Sequence, residues 1–418
     1  MEGILRNKKI YITTNGCIRR MLDSTRLANF FKSNNCVIVK NTMDADYVIF
    51  ITCSFNKTRE EECLRKISKF PKGKLIIAGC LPDIAPNRLK EVFNGKIIET
   101  RNLEKIDELF DEFKVKFRSI SDAHSYISPL RLFIENYEFN KLFFKKWLSF
   151  ISMCISRTIY VSKRLNKIPR IRKNIEKHKE IEITKLTYLR VSYGCIDQCA
   201  YCTIFRAVGK LKSKKIDECL HEYSVLLKQG YRNFSLIADN LGAYGLDYAS
   251  TFEELLQSLS EVDKDFSVSW RLEQLHPKWV IQYKDVLSRY IAEGKIRFIL
   301  CAIQSGSNRI LGLMNRHHRI EEITEIFEEF RKLQPRLYLS THFIVGFPSE
   351  TEEDFLASIN TAKTIRFNEV QLFPYSDGYD SISSKMSDKI PEEKIRARLK
   401  KSVEFFHKEG IFCMCHDI

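Results

Sequence analysis

A chain of 418 residues, 44% apolar and carrying a formal charge of +15, is long enough for two or three domains with sizeable cores and too apolar to be a disordered polymer. Its 13 cysteines are too sparse for a secreted disulfide scaffold, and no apolar leader follows Met1-Glu2-Gly3-Ile4-Leu5-Arg6. The expectation is a cytoplasmic protein whose thiols are reduced and in part bind metal. The positive charge points to an anionic partner and is concentrated: 13 Lys or Arg stand against 4 Glu between Arg131 and Glu180.

Residues 1–114 alternate strand-like and helical patterns. Apolar runs at Lys9 to Thr13, Cys36 to Val39, Tyr47 to Ile51, Lys74 to Ala78 and Lys96 to Ile98 predict strands. Apolar residues at i, i+3 and i+4 predict helices over Ser24 to Lys32, Lys57 to Lys69, Pro86 to Phe93 and Leu103 to Phe113. That order implies a small open parallel sheet with helices on both faces. Cys17, Cys53 and Cys80 each fall just past a strand end. The carboxyl ends of parallel strands share one edge, so three thiols far apart in sequence can meet there. Cys36 opens a strand and Cys63 lies inside a helix; both read as packing or surface thiols.

Residues 115–182 interrupt this pattern with an aromatic, apolar run from Phe143 to Val161 and a basic run from Lys163 to Lys179. Charges punctuate it too often for a spanning helix. Three readings stand: an added helical element between domains, a basic amphipathic helix on a membrane surface through 141–179, or an arm that binds substrate or partner.

Residues 183–376 repeat strand then helix. Strands are predicted at Leu186 to Ser192, Asn233 to Ala238, Ser267 to Leu272, Arg297 to Ile303, Tyr338 to Val345 and Glu369 to Phe373. The helices between them include Ile216 to Gln229, Phe252 to Glu261, Pro277 to Ala292, Ile320 to Leu333 and Thr351 to Ile365. Six β/α units predict a partial parallel (β/α)6 barrel, with its site at the carboxyl ends of the strands. The first strand leads into Cys195-Ile196-Asp197-Gln198-Cys199-Ala200-Tyr201-Cys202. Thiolates at this C-x3-C-x2-C spacing can hold three irons of a four-iron cluster and leave the fourth open to a ligand. No fourth Cys or His follows within 15 residues to close a structural site.

This loop, with an aromatic before its third cysteine, resembles the radical S-adenosylmethionine (SAM) superfamily, which implies SAM chelated at the open iron. Asn15-Gly16-Cys17, Ile51-Thr52-Cys53 and Ala78-Gly79-Cys80 are similar in order and spacing to the N-terminal domain of the radical SAM methylthiotransferases. So are Leu241-Gly242-Ala243-Tyr244-Gly245, Met314-Asn315-Arg316, Gly346-Phe347-Pro348-Ser349-Glu350-Thr351 and Phe373-Pro374-Tyr375-Ser376. Arg19, Ile51, Leu300 and Ala302 depart from residues usual in that family.

The resemblance implies two [4Fe–4S] clusters, one on Cys17, Cys53 and Cys80 and a catalytic one on Cys195, Cys199 and Cys202. It places SAM against Tyr201, against Asp239 and Asn240 after the second strand, against Gln304, Ser305 and Gly306 after the fourth, and against Gly346, Phe347 and Pro348 after the fifth. There glycine would let backbone approach a ligand. The family also carries a small RNA-binding β-barrel after the helix matching Pro391 to His407, and here that barrel is expected to be lacking, residues 377–418 forming a helical tail. Cys413-Met414-Cys415-His416 in that tail could bind metal, relay sulfur or be incidental.

The implied activity is insertion of a methylthio group into an unactivated C–H bond. The substrate is either a tRNA adenosine, with Leu241-Gly242-Ala243-Tyr244-Gly245 nearest the threonylcarbamoyladenosine branch, or a protein side chain, peptide or small metabolite. The reductant would be a flavodoxin or ferredoxin. A non-catalytic iron–sulfur electron carrier is the third alternative.

Overall fold

The structure, a computed structural model, describes residues 8–122, 186–264 and 266–416. The basic segment through 141–179, with its three readings, lies outside the described residues. The N-terminal unit is a five-stranded sheet of β1 (Lys9–Thr14), β2 (Val37–Ile38), β3 (Tyr47–Thr52), β4 (Leu75–Gly79) and β5 (Lys96–Glu99). Its order is β2-β1-β3-β4-β5 and every pair is parallel. Strand β3 is apolar from Val48 to Ile51 because both its faces are covered. Ile49 and Ile51 pack with Phe30, Phe31, Phe110 and Phe113 on one side, whereas Val48 and Phe50 pack with Ile67, Ile77 and Leu89 on the other.

The chain beyond residue 114 continues into this unit: Phe117 joins the first of those cores, and Asp122 is buried. The sequence had grouped 115–122 with the interrupting segment, because a lone Phe and a lone Asp carry no periodicity.

The second unit is a seven-stranded, wholly parallel sheet of β6 (Leu186–Arg190), β9 (Asn233–Ile237), β10 (Ser269–Leu275), β11 (Ile296–Cys301), β12 (Tyr338–Val345), β13 (Glu369–Pro374) and β14 (Phe412–Cys415). They pair in the order β14-β13-β12-β11-β10-β9-β6, while β7 (Ser192–Tyr193) and β8 (Lys212–Ser213) form a small antiparallel ribbon at the foot of the cysteine loop. Outward side chains such as Leu272, Ile299, Leu339 and Val370 meet the helical layer. Inward ones such as Phe298, Leu300, Ala302 and Tyr338 form a separate inner wall.

Two expectations change here. The predicted helix 277–292 is two helices, Pro277–Gln282 and Lys284–Ala292, broken at Tyr283. The C-terminal segment is also not wholly helical: after Glu392–Lys408, Gly410 turns the chain at φ +72° and β14 docks as a seventh strand on β13. Four residues with two sulfurs are too few to show a strand period. Among the described residues no helix is long and apolar enough to cross a membrane.

The units meet through buried charge. Arg190, at the end of β6, donates to Asp23 of the first helix (2.7 Å) and to the Arg19 carbonyl (2.6 Å). Arg20 flanks the same carboxylate at 3.1 Å. Lys214 reaches Asp122 at 3.3 Å and Glu222 at 2.7 Å, while Tyr193 donates to Asp122. These ties hold the carboxyl edge of the small sheet over the barrel mouth.

Candidate active site

The Cys195 loop is fixed from several directions. Gly194 turns at φ +78° with its α-carbon so close to the chain that a Cβ would lie 2.0 Å from the Lys210 carbonyl oxygen, so only glycine fits. Its amide donates to Asp239 Oδ2 (3.0 Å). Asn240 donates through Nδ2 to Asp197 (2.7 Å) and Cys195 Sγ (3.5 Å), and its Oδ1 accepts from the Trp279 indole (2.7 Å). On the far side the Ala200 amide bonds to the Met314 carbonyl (2.9 Å), and the Asn315 side chain donates to the Gln198 carbonyl (2.8 Å). Buried Arg316 donates to Cys199 Sγ (3.6 Å) and the Tyr201 hydroxyl (3.3 Å). Burial pushes the Cys195 thiol up to about 11 and the Cys202 thiol to about 12. A metal would therefore displace protons that these sulfurs otherwise keep.

Cys17 caps the first helix after β1, Cys53 follows β3 and Cys80 follows β4. Gly79 makes the last turn possible: at φ +98°, a Cβ there would lie 2.3 Å from the Thr52 carbonyl oxygen. The three thiols lie within electrostatic reach of one another. Burial raises Cys53 and Cys80 to about 12, and Cys17 adds to both shifts. Cys17 itself is solvent-exposed; the surrounding protein desolvates it, but Arg19 and Arg20 outweigh that and hold its thiol below the ordinary value. Cys63, read from sequence as a packing thiol, is buried against this group, accepting from the Cys53 amide (3.3 Å) and donating to the Cys53 carbonyl (3.1 Å). Cys36 sits apart in the other core.

Two observations bring the triads to one place. Cys80 and Ile84 pack against Ile204 and Ala207, in the helix that directly follows Cys202. Arg19, two residues past Cys17, pairs with Asp239 at 2.9 Å, the same carboxylate that holds Gly194. Among the described residues no group of three His, Cys, Asp or Glu side chains converges on a single metal-ion position. A four-iron cubane asks for something else, one thiolate on each of three separate irons.

The other candidates divide. Gln304, at φ +77°, leaves its buried Oε1 without a hydrogen-bond partner. Ser305 is buried with its hydroxyl accepting from the Ser307 amide (3.2 Å). Phe347 packs with Ala200, Met314 and Tyr201 beneath the loop, and Pro348 is buried beside it.

The glycines have a packing role of their own. A Cβ on Gly306 would lie 2.5 Å from the Ala357 carbonyl oxygen, and one on Gly346 would lie 2.3 Å from Ile395. Both make room for helices of the outer layer. Asp239 and Asn240 bond to the loop and to Arg19.

Arg316 stands within a family-like motif with no role of its own in the sequence, His416 reads there only as part of the terminal Cys413-Met414-Cys415-His416 group, and His342 carries no motif at all. A signal for His342 was available: on β12 the inner face reads Tyr338, Ser340, His342, polar where a structural core would be apolar. The same alternation answers the question of the terminal thiols. Cys413 and Cys415 pack on the outer core, so neither faces the hollow.

A partial parallel barrel with a three-thiol loop at its mouth defines a radical SAM enzyme. Residues 189–362 match the Radical SAM superfamily, and residues 9–98 match a family described as "Uncharacterized protein family UPF0004". The chain is 25% identical to "Ribosomal protein uS12 methylthiotransferase RimO" of Thermosipho melanesiensis, over 94% of this chain and 82% of that protein. It is 27% identical to "Probable threonylcarbamoyladenosine tRNA methylthiotransferase" of Pyrococcus abyssi, over 90% and 79%. In fold it resembles the radical SAM methyltransferase TsrM of Kitasatospora setae, with a TM-score of 0.55 at 10% identity over 87% of this chain and 72% of that one.

The two matched models and the relatives at 25–28% identity fit the radical SAM methylthiotransferase family and indicate an enzyme of that class, which sets aside the electron-carrier alternative. The family's cofactors are SAM and two [4Fe–4S] clusters, and a reductant is required.

Proposed function

We propose that this enzyme methylthiolates an adenosine in tRNA; the packing of Cys80 on Ile204 and Ala207 and the Arg19–Asp239 pair support two cysteine groups working together, and the net charge of +15 is the observation that favours RNA. The chemistry the cofactors supply when bound is abstraction of hydrogen from an unactivated carbon and delivery of a methylated sulfur to it. Cys195, Cys199 and Cys202 are the proposed ligands of the catalytic cluster, and Cys17, Cys53 and Cys80 those of the second. Arg316 offsets negative charge at Cys199, and Gln304 offers its free Oε1 to SAM. Tyr201, Phe347 and Pro348 wall the site and exclude water; Asp239 and Asn240 hold the loop in register. Water exclusion matters because a substrate radical must meet sulfur before another hydrogen donor.

A tRNA substrate is favoured by the charge of +15 and by relatives described as acting on tRNA. Aromatic faces at the mouth also suit a base: Phe55 of the small-sheet unit meets Phe373 of β13 edge-on at 5.6 Å. The proposed electron donor is a flavodoxin or ferredoxin, and the proposed setting is the cytoplasm. The test is mass spectrometry of tRNA nucleosides and of ribosomal-protein peptides from cells with and without the gene. A methylthioadenosine derivative that disappears with the gene supports the proposal. A methylthiolated peptide that disappears instead moves the substrate to protein, as in the relative described as acting on uS12.

A further inference from the structure

Ser340 Oγ and His342 Nε2, both on the inner face of β12, are left without a hydrogen-bond partner, and His342 is the one with aromatic neighbours. His342 lies on β12 in register with Gln371 of β13, and its buried Nε2 has no hydrogen-bond partner. Its electrostatic neighbours place it: Arg19, beside Cys17, and Arg316, which bonds to Cys199, both act on it, as does His416. Burial, reinforced by those charges, pushes the imidazole down to about 3, so the ring is neutral. A neutral, desolvated ring nitrogen with nothing to bond is costly to keep unless something else supplies the partner.

What surrounds it is flat. Phe373 meets the His342 ring at 5.1 Å, stacks on His416 at 4.2 Å with 4° between planes, and is met edge-on by Phe55. Below them a polar row runs along the wall. His416 Nε2 lies 3.2 Å from Gln371 Oε1, Gln371 donates to Glu369 (2.7 Å), and Tyr338 donates to the other Glu369 oxygen (3.2 Å). That row is internally satisfied and so holds Phe373 and His416 in fixed planes. Only His342 among these is left to speak for the substrate.

The geometry points to His342 as a specificity-determining residue that bonds through Nε2 to the edge of a planar heteroaromatic ring lying against Phe373, setting which carbon is presented between the triads. His416, contributed by the terminal strand segment, is a positioning residue that acts through Phe373. This inference rests on the tRNA reading above and deepens it. Its consequence is a separation of two steps: loss of the edge bond leaves SAM cleavage intact and uncouples it from product.

The experiment uses the full reconstituted chain with SAM, dithionite and unfractionated tRNA from cells lacking the gene, and reads methylthionucleoside formed per 5′-deoxyadenosine. For His342→Leu we expect iron content and tRNA-free 5′-deoxyadenosine formation within about twofold of the parent, and the product ratio lowered about tenfold or more, the scale of one lost buried substrate hydrogen bond. His342→Gln, whose amide can stand where Nε2 does, restores most of the ratio. Cys415→Ser, on the outer face, leaves it unchanged. An unaltered ratio in His342→Leu overturns the inference, as does loss of iron or of tRNA-free SAM cleavage in step with product. If the parent protein cleaves SAM but forms no methylthionucleoside, the tRNA reading fails first and this inference with it.

Discussion

Cys195, Cys199 and Cys202 sit on one loop of eight residues, whereas Cys17, Cys53 and Cys80 come from three strand ends spread over 64 residues. The loop carries its own geometry, pinned by Gly194, Asn240 and Arg316. The second group exists only when β1, β3 and β4 are in register. A local site depends on the conformation of a few backbone bonds, and a distributed one depends on the sheet and on the seam that presents it to the barrel. The two should therefore fail differently.

The largest difference is expected in chemistry. Replacing Cys195, Cys199 and Cys202 with Ala abolishes 5′-deoxyadenosine formation altogether. The same change at Cys17, Cys53 and Cys80 leaves reductive SAM cleavage measurable by chromatography while methylthiolated product vanishes.

Next comes the seam. Asp23→Ala leaves Arg190 and Arg20 buried without their carboxylate and is expected to cost about 3–5 kcal/mol in chemical denaturation. The seam is also the acid-sensitive part. Burial alone would raise the Asp122 carboxyl, but Lys214, Arg190 and Arg26 outweigh it and hold it well below the usual carboxylate range. A depressed carboxylate contributes stability above its unfolded value near 4 and loses it as pH falls further. The melting temperature should drop steeply below about pH 4, and Asp122→Asn, weaker at pH 7, should show a shallower acid limb.

The smallest effect sharpens the contrast most. Gly79→Ala places a methyl against Thr52 at a positive φ and is expected to cost about 1–3 kcal/mol. Iron should be lost from the strand-end group while the loop group keeps its own, as read by iron content and SAM cleavage together.

The same contrast explains what was legible in advance. Cysteine spacing on a loop is visible directly, and strand-end cysteines become visible once the alternation of strand and helix fixes a parallel sheet. Side chains whose role depends on what crosses them in space were not. Gly306 and Gly346 read in sequence as ligand-approach glycines, and a sequence does not say that Ala357 and Ile395 also press against them. Strand β14 hid in four residues, and with it the place of His416 against Phe373. Arg316 lies 114 residues past Cys202, joined to the loop only by tertiary contact.

Iron and acid-labile sulfide per chain, measured on the anaerobically reconstituted protein and on the two triple Cys→Ala variants, test the central claim most directly. The account predicts about eight irons falling to about four in either variant, four per cubane. A parent protein holding only about four irons, or a variant at Cys17, Cys53 and Cys80 that keeps the full complement, would contradict it.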